Sequence, residues 1–281
     1  RSEFEEFSVK RLIQEIKAKH ELVKLNIPHL YMSIHPELNL DTKDKNTSIE
    51  VIIPRVDTAH LDFGLVALQH IENMGVPTVN SSQTIVTCKN KYLTNLALRK
   101  KKVPQPEAAM AFSAAEMLKH LTRMNKPFVL KMLHGSLGTG VSKLFNHQEA
   151  EDWINTFNAL NQPLYIQEYV EHHGHDYRIM VLDKQVIGAE KRIAKPGQWK
   201  TNVSLGASVK NYLPPPEIKE IAIKSAEAVK GDLCGVDMII NKDRTHVLEV
   251  NCFPQFKGLE KATGKNIGRK IVEFAVKKAK Q

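Results

Sequence analysis

Between residues 235 and 251 apolar and polar positions alternate with a period of two on either side of a polar break. In GVDMII (235–240), Asp237 and Ile239 fall on one face and Met238 and Ile240 on the other. In VLEVN (247–251), Val247, Glu249 and Asn251 share a face, opposed by Leu248 and Val250. The polar NKDRT at 241–245 reads as a hairpin loop. With Asp243 at its apex, Asp237 pairs with Glu249; a slip of one residue would turn one strand's set to the other side. Two carboxylates and an amide gathered in an apolar hairpin are costly to bury without a counter-charge. Such oxygen donors suit Mg²⁺, which binds through one or two carboxylates plus substrate phosphates. A hairpin with one solvated face would carry the same letters.

Helical spacing of Phe7, Leu12, Ile13 and Ile16 predicts a first helix over 7–25. The apolar stretches 50–54 and 76–80 predict short strands around a helix at 58–74 that ends at Gly75. This alternation predicts a small parallel α/β unit, although no strand precedes its first helix and the chain opens at Arg1. Further helices are predicted over 89–102, 113–124, 147–160, 215–231 and 264–280, the second with Ser113 and Glu116 spaced as a capping box. Strands are predicted over 127–132, 141–145, 163–170, 177–182 and 185–192. Lys91 stands at the start of its helix, where the dipole disfavours a cation, whereas the basic run 99–102 suits the other end.

Composition narrows the class. No apolar run is long enough to span a membrane, and no signal-peptide pattern opens the chain. Cys88, Cys234 and Cys252 form no CxxC pair, which points to a reducing, cytoplasmic setting. A net charge of +9 suits an acidic or phosphorylated partner. The lysines are scattered, with no basic patch interleaved by aromatics, which argues against nucleic acid.

Lys131 sits among apolar neighbours immediately before HGSLGTGV, which carries Gly135, Gly138 and Gly140 with the hydroxyls of Ser136 and Thr139. A glycine-rich turn between strands lets backbone N–H groups close on phosphates, and it is equally the composition of a flexible hairpin. It is not a Walker loop, since GK[ST] is missing. The histidines of EHHGHD (171–176) are either metal ligands or exposed loop residues. Arg178 and Arg192, on a strand pair that also carries Glu190 and Lys191, either pair with acids or clamp developing phosphate charge.

In order and spacing these pieces resemble the ATP-grasp superfamily, and within it the RimK-type alpha-L-glutamate ligases, related to the LysX-type carboxylate–amine ligases. The resemblance spans 76–281. QEYVEHHGHDYR (167–178), GVDMII with VLEVN (235–251) and GLEKATGKNI (258–267) carry it, while the N-terminal part matches loosely in VIIPR and MGVPTVN. It implies an α/β (α+β) class: an ATP-grasp fold over 87–281 in two lobes, 87–165 and 166–281, behind a small Rossmann-like pre-ATP-grasp domain over 1–86. By position, Lys91 and Lys131 would neutralise ATP phosphates, and the turn with Gly135, Ser136, Gly138 and Gly140 would close over them. Gln167, Glu168, Tyr169 and Val170 would hold the adenine, and Asp176 the ribose hydroxyls. Lys200, Thr201 and Asn202 fall on the substrate and phosphate loop. Asp237, Glu249 and Asn251 would bind Mg²⁺ or Mn²⁺, two ions with Glu249 bridging, and Arg178 and Arg192 would stabilise the transferred phosphoryl group.

The implied reaction joins an amino acid, in this family L-glutamate, to an acceptor carboxyl through an acyl phosphate. Such chemistry relies on positioning and charge neutralisation rather than a serine or cysteine nucleophile, so Cys252 reads as packing. One departure stands out: NVSLGA (202–207) has Leu205 and Ala207 where the pattern has arginine and glycine. This opens the acceptor to an acidic peptide, a carrier protein or a cofactor tail; the expected assembly is a homo-oligomer, dimer or tetramer. A nucleotide-sensing binding protein of the same fold is the non-enzymatic alternative.

Overall fold

A computed structural model describes residues 3–35, 39–41, 48–124, 127–133, 140–241 and 244–281. The chain begins with α1 (Glu3–Lys17), the antiparallel pair β1 (Tyr31–Ser33) and β2 (Asn39–Asp41), then α2 (Leu61–Asn73), α3 (Ser82–Lys89) and α4 (Lys91–Lys100). A first lobe follows: β3 (Ala108–Ala111), α5 (Ala114–Leu121), β4 (Phe128–Met132), β5 (Val141–Leu144), α6 (His147–Ala159) and β6 (Leu164–Glu168). The second comprises β7 (His175–Leu182), β8 (Gln185–Ile193), β9 (Ser208–Asn211), α7 (Pro216–Ala228), β10 (Leu233–Ile240), β11 (Thr245–Asn251), α8 (Lys257–Thr263) and α9 (Ile267–Ala279).

Both lobes are built on antiparallel sheets, in the orders β3-β6-β4-β5 and β11-β10-β7-β8-β9. Side-chain caps set several helix starts: Asn90 accepts from the N–H groups of Tyr92 and Leu93, and Ser113, Asn146 and Asn266 each accept from the residue three on. The helix predicted from 89 is α4, which the cap at Asn90 starts; α3, ending at Lys89 just before it, lies in a stretch for which no helix is predicted.

The N-terminal unit departs from expectation. The predicted strands at 50–54 and 76–80 meet only in a parallel bridge between Ile52 and Thr78, held by Ile52 N–H to Pro77 O (2.9 Å) and Val79 N–H to Ile52 O (2.8 Å). Pro54 and Pro77 flank the bridge, and a proline cannot donate to a longer ladder. The β1–β2 pair lies in a stretch that reads as a connection.

The five-stranded sheet is buried on both faces. Ile179, Val181, Val236, Met238, Val247 and Val250 pack against α7, α3 and α4 through residues such as Ile218, Ala222, Ile85 and Leu98. On the opposite face Met180, Leu182 and Leu233 meet Leu259 of α8, Ile267 and Ile271 of α9 and Leu12 of α1. The four-stranded sheet is covered by α5 and α6 on one face only, where Phe128, Leu130, Leu164 and Ile166 meet Met117, Leu121, Ala150 and Ile154. Strand alternation then turns Val129, Lys131 and Gln167 to the uncovered face.

The β10–β11 hairpin has Asp237 opposite Glu249 as its pattern predicts, but by a different route. Met238 pairs with Val247, Ile239 with His246 and Ile240 with Thr245, so Leu248 is an extra residue forming a β-bulge. A loop centred on Asp243 would pair Asn241 with Thr245; instead Asn241 N–H meets Arg244 O at 2.9 Å, and residues 242–243 lie outside the described set. The bulge also corrects the predicted faces: Val247 joins the core with Val250, and Leu248 turns to the side of Glu249.

Asn80 fastens the N-terminal part to the hairpin. Fully buried, it donates to Leu233 O (2.8 Å) and Cys252 O (2.9 Å) and accepts from Leu233 N–H (2.9 Å). Asn80→Ala strands these groups without partners and is expected to lower stability by about 2–4 kcal/mol. Urea denaturation checks this; a loss within error of zero would show the contacts to be dispensable.

Candidate active site

A cleft of about 290 Å³ opens between the uncovered face of the four-stranded sheet and the β10–β11 hairpin, with the 194–207 loop along its side. Its chemistry is built on three neighbouring strands. Register sets Arg178 of β7 across from Asp237 of β10 on one side and Glu190 of β8 on the other, and Asp176 across from Arg192. Arg178 forks onto Asp237, with Nε to Oδ1 and Nη2 to Oδ2 both at 2.7 Å. Arg192 forks onto Asp176, with Nε at 2.7 Å from Oδ1, and its Nη2 also lies 3.1 Å from Asp237 Oδ2. Arg192, Asp176 and Asp237 are all buried.

This pairing overturns one electrostatic expectation. A carboxylate facing Glu249 would have its pKa raised by repulsion. Burial does work to raise that of Asp237, but Arg178 and Arg192 outweigh it and hold the carboxyl below its ordinary value. Asp176, assigned by the resemblance to ribose hydroxyls, lines the cleft with both oxygens on Arg192.

Glu249 and Asn251 stand beside Asp237 on the cleft wall. The Asn251 amide is satisfied with its nitrogen toward Glu249 Oε1 (3.1 Å) and its oxygen toward Arg178 Nη2 (3.2 Å). Among the described residues no three His, Cys, Asp or Glu side chains are grouped to hold a metal by themselves. The hairpin's oxygens nevertheless fit a hard divalent cation that takes its remaining ligands from phosphate or water. An ion at Asp237 would compete there with Arg178. His172, His173 and His175 form no such group; His172 packs its ring against Tyr169 and Trp199 instead.

Across the cleft, Lys131 Nζ donates to Gln167 Oε1 at 2.6 Å. Burial pushes its pKa down to about 8, against the pull of the Glu249 charge. Lys91, the first residue of α4, is likewise lowered by burial and supported by Glu249. Lys131 from the four-stranded sheet and Lys91 from the helix that packs on the five-stranded sheet thus share the Glu249 counter-charge. Gln167, Glu168, Tyr169 and Val170 line the cleft at the end of β6. The N–H groups of Glu168 and Tyr169 are committed to Glu107 O (2.8 Å) and Pro127 O (3.1 Å), so those two amides do not serve a ligand.

Gly135, Ser136 and Gly138 lie outside the described residues. Gly140 closes the β4–β5 turn: its φ is +66°, its carbonyl accepts from Met132 N–H (2.9 Å), and a side chain there would run into Met132. Lys200, Thr201 and Asn202 line the cleft from the loop after β8. Leu205, where the pattern has arginine, is half exposed on a short turn, and Gly206 beside it adopts a φ of +91°.

Sequence reading passed over Glu190, Trp199 and the Gln167 side chain as site groups. The spacing held a signal for the first. Asp176 with Arg178, and Glu190 with Arg192, are acid–base pairs two residues apart, hence on one strand face.

Two family models match the chain: the RimK-like ATP-grasp domain over residues 88–275 and the RimK PreATP-grasp domain over 2–85. A probable alpha-L-glutamate ligase of Legionella pneumophila (strain Corby) is 33% identical over 281 residues, which cover 98% of this chain and 93% of that protein. One of Aeromonas salmonicida (strain A449) is 30% identical over 279 residues, 97% of this chain and 93% of that protein. Among solved structures, the ATP-grasp ligase PsnB complexed with minimal precursor superposes with a TM-score of 0.75 at 18% identity, over 96% of this chain and 95% of that one. The D-alanine–D-alanine ligase of Bacillus anthracis complexed with ATP gives 0.74 at 15% identity, over 98% and 92%. At such identities the structures speak for the fold, while the family models and the relatives extend along nearly the whole sequence: the chain belongs to the RimK-like ATP-grasp family.

Proposed function

We propose that the protein is an ATP-dependent carboxylate–amine ligase that adds an amino acid, L-glutamate in the first instance, to an acceptor carboxyl. The observation that carries this reading is the convergence on a single cleft of Lys131 from the four-stranded sheet, Lys91 from the start of α4, and the Arg178–Asp237–Arg192 cluster with Glu249 from the five-stranded sheet. A carboxylate is a poor acyl donor. Transfer of the γ-phosphoryl group onto one carboxylate oxygen gives an acyl phosphate and ADP. The amine then attacks the acyl carbon, and phosphate departs.

Phosphoryl transfer asks a protein chiefly for position and charge neutralisation. Lys91 and Lys131 hold the phosphates, and Arg178 and Arg192 meet the charge that develops on the transferred group. The end of β6, Gln167 to Val170, receives the base; Asp176 lies toward the sugar; Lys200, Thr201 and Asn202 border the acceptor. Asp237, Glu249 and Asn251 would hold Mg²⁺ or Mn²⁺, which would supply further neutralisation of the phosphates. The net charge of +9 favours an acidic acceptor, such as a peptide or carrier-protein terminus or a cofactor tail. No helix among the described residues is long and apolar enough to cross a membrane, and the three cysteines are free and buried; with a need for ATP, this supports a cytoplasmic setting.

ADP release with L-glutamate and acidic acceptor peptides tests the reading directly. Lys131→Ala is expected to abolish turnover while the circular dichroism spectrum stays unchanged; near-normal release would remove Lys131 from the phosphate site. The pKa of Lys131, about 8 without ligand, gives a second test. Bound phosphates favour the ammonium and raise that pKa, so above about pH 8 binding takes up a proton and affinity falls as pH rises. Calorimetry at pH 8.5 in buffers of different ionisation enthalpy should show this uptake in wild type and less of it in Lys131→Gln; equal uptake would assign the proton elsewhere. Glu249→Gln should lose most of the Mg·ATP-induced rise in Tm. An equal rise in both proteins would mean that Glu249 is not a metal ligand.

A further inference from the structure

One buried carboxylate is left over in the arginine cluster. Glu190 is 2% exposed, stands across from Arg178 and lies two residues before Arg192 on the same strand face. The charged groups around it are Arg178, Arg192, Asp237 and Asp176. Both arginines are forked onto aspartates: Arg178 onto Asp237, and Arg192 onto Asp176 with a further contact to Asp237. Three carboxylates therefore share two guanidiniums, and Oε2 of Glu190 has no hydrogen-bond partner. Burial, only partly offset by the two arginines, raises its pKa, as befits an anion short of a partner. A buried acceptor left unsatisfied is costly and marks a place where something else binds.

Glu190 lines the cleft, and so does Gly258 at the start of α8. A Cβ at position 258 would lie 3.0 Å from Oε2 of Glu190. Glycine therefore lets the first turn of α8 pack against the unpartnered oxygen, and any larger residue would press on it. An unpartnered carboxylate oxygen on a residue that lines the cleft calls for a small cationic donor. Among the reactants of the proposed ligation, ATP and the acceptor carboxyl are anions, which a third carboxylate repels. The incoming amino acid alone brings an ammonium group.

We infer that Glu190 receives the ammonium group of the amino acid substrate and fixes its nitrogen in the cleft, an inference that rests on the ligase reading. Glu190 is then a specificity-determining residue. The bound ammonium balances the surplus negative charge of the cluster, and Glu190 selects amino acids over dicarboxylates of the same length that lack the amine.

Calorimetric titration of the full chain loaded with Mg·ADP tests the contact without turnover. The probes are L-glutamate and glutarate, which differ by the amino group, and the proteins are wild type, Glu190→Gln and Glu190→Met. Loss of a charged hydrogen bond should weaken L-glutamate binding by about ten- to a hundredfold in both variants. Glutarate should bind the variants at least as tightly as wild type, since its methylene no longer faces a bare carboxylate. Retained glutarate binding also reports an intact cleft. Unchanged L-glutamate affinity in the variants, equal weakening of both probes, or no L-glutamate binding by wild type would each overturn the assignment. ADP release by wild type with an acceptor peptide is scored separately. Its absence would sink the ligase reading, and the difference between the two probes would still decide the role of Glu190.

Discussion

Asp237 is shared by two arginines, and the site depends on that sharing. The carboxylate lies in the five-stranded sheet with Arg178 forked onto it from β7 and Arg192 reaching it from β8. Charges this deep are not a source of stability in themselves, because desolvation consumes most of what their attraction returns. Removing one partner is another matter, since it strands a buried charge. What the cluster provides is orientation. Each guanidinium is pinned by a fork, so its plane and remaining N–H groups are set before any ligand arrives. Three adjacent antiparallel strands are needed for this, and the sheet is buried on both faces, which leaves its register little freedom.

The cations and the anion of the cleft complement one another by charge. Lys91 and Lys131 sit where burial works against their ammonium form, and Glu249 on the cleft wall is what supports it. In the absence of a polyphosphate the cleft thus holds its own counter-charge. The residues that suit a nucleotide are held ready by a carboxylate that suits a cation.

Much of this was legible in the letters. Period-two alternation found both strands of the carboxylate hairpin and the pairing of Asp237 with Glu249, and the motif from Gln167 to Arg178 pointed to the family. What escaped depended on register or on edges. Nothing in the sequence marks Leu248 as a bulge, because an apolar residue is at home on either side of that hairpin; the predicted faces of Val247 and Leu248 were reversed as a result. Asp176 and Arg192 are 16 residues apart and meet only because β7 and β8 pair as they do, so neither composition nor local spacing reveals that the aspartate is already engaged. The short β3, β9 and α8 have too few residues to establish a period. In the N-terminal unit, prolines reduced two apolar runs to one bridge.

The bulge at Leu248 has a consequence for scale. A regular strand shows every second residue to a given side, so like-facing side chains stand roughly 7 Å apart. Here two consecutive residues, Leu248 and Glu249, face the cleft, with Ile239 beside them. Oily surface gives way to full negative charge over a single residue step. Whatever lies along that wall has to make the same change over the same distance, flat and apolar on one part and charged on the next. One inserted residue thereby serves as a ruler, marking where along a bound molecule the charge must begin.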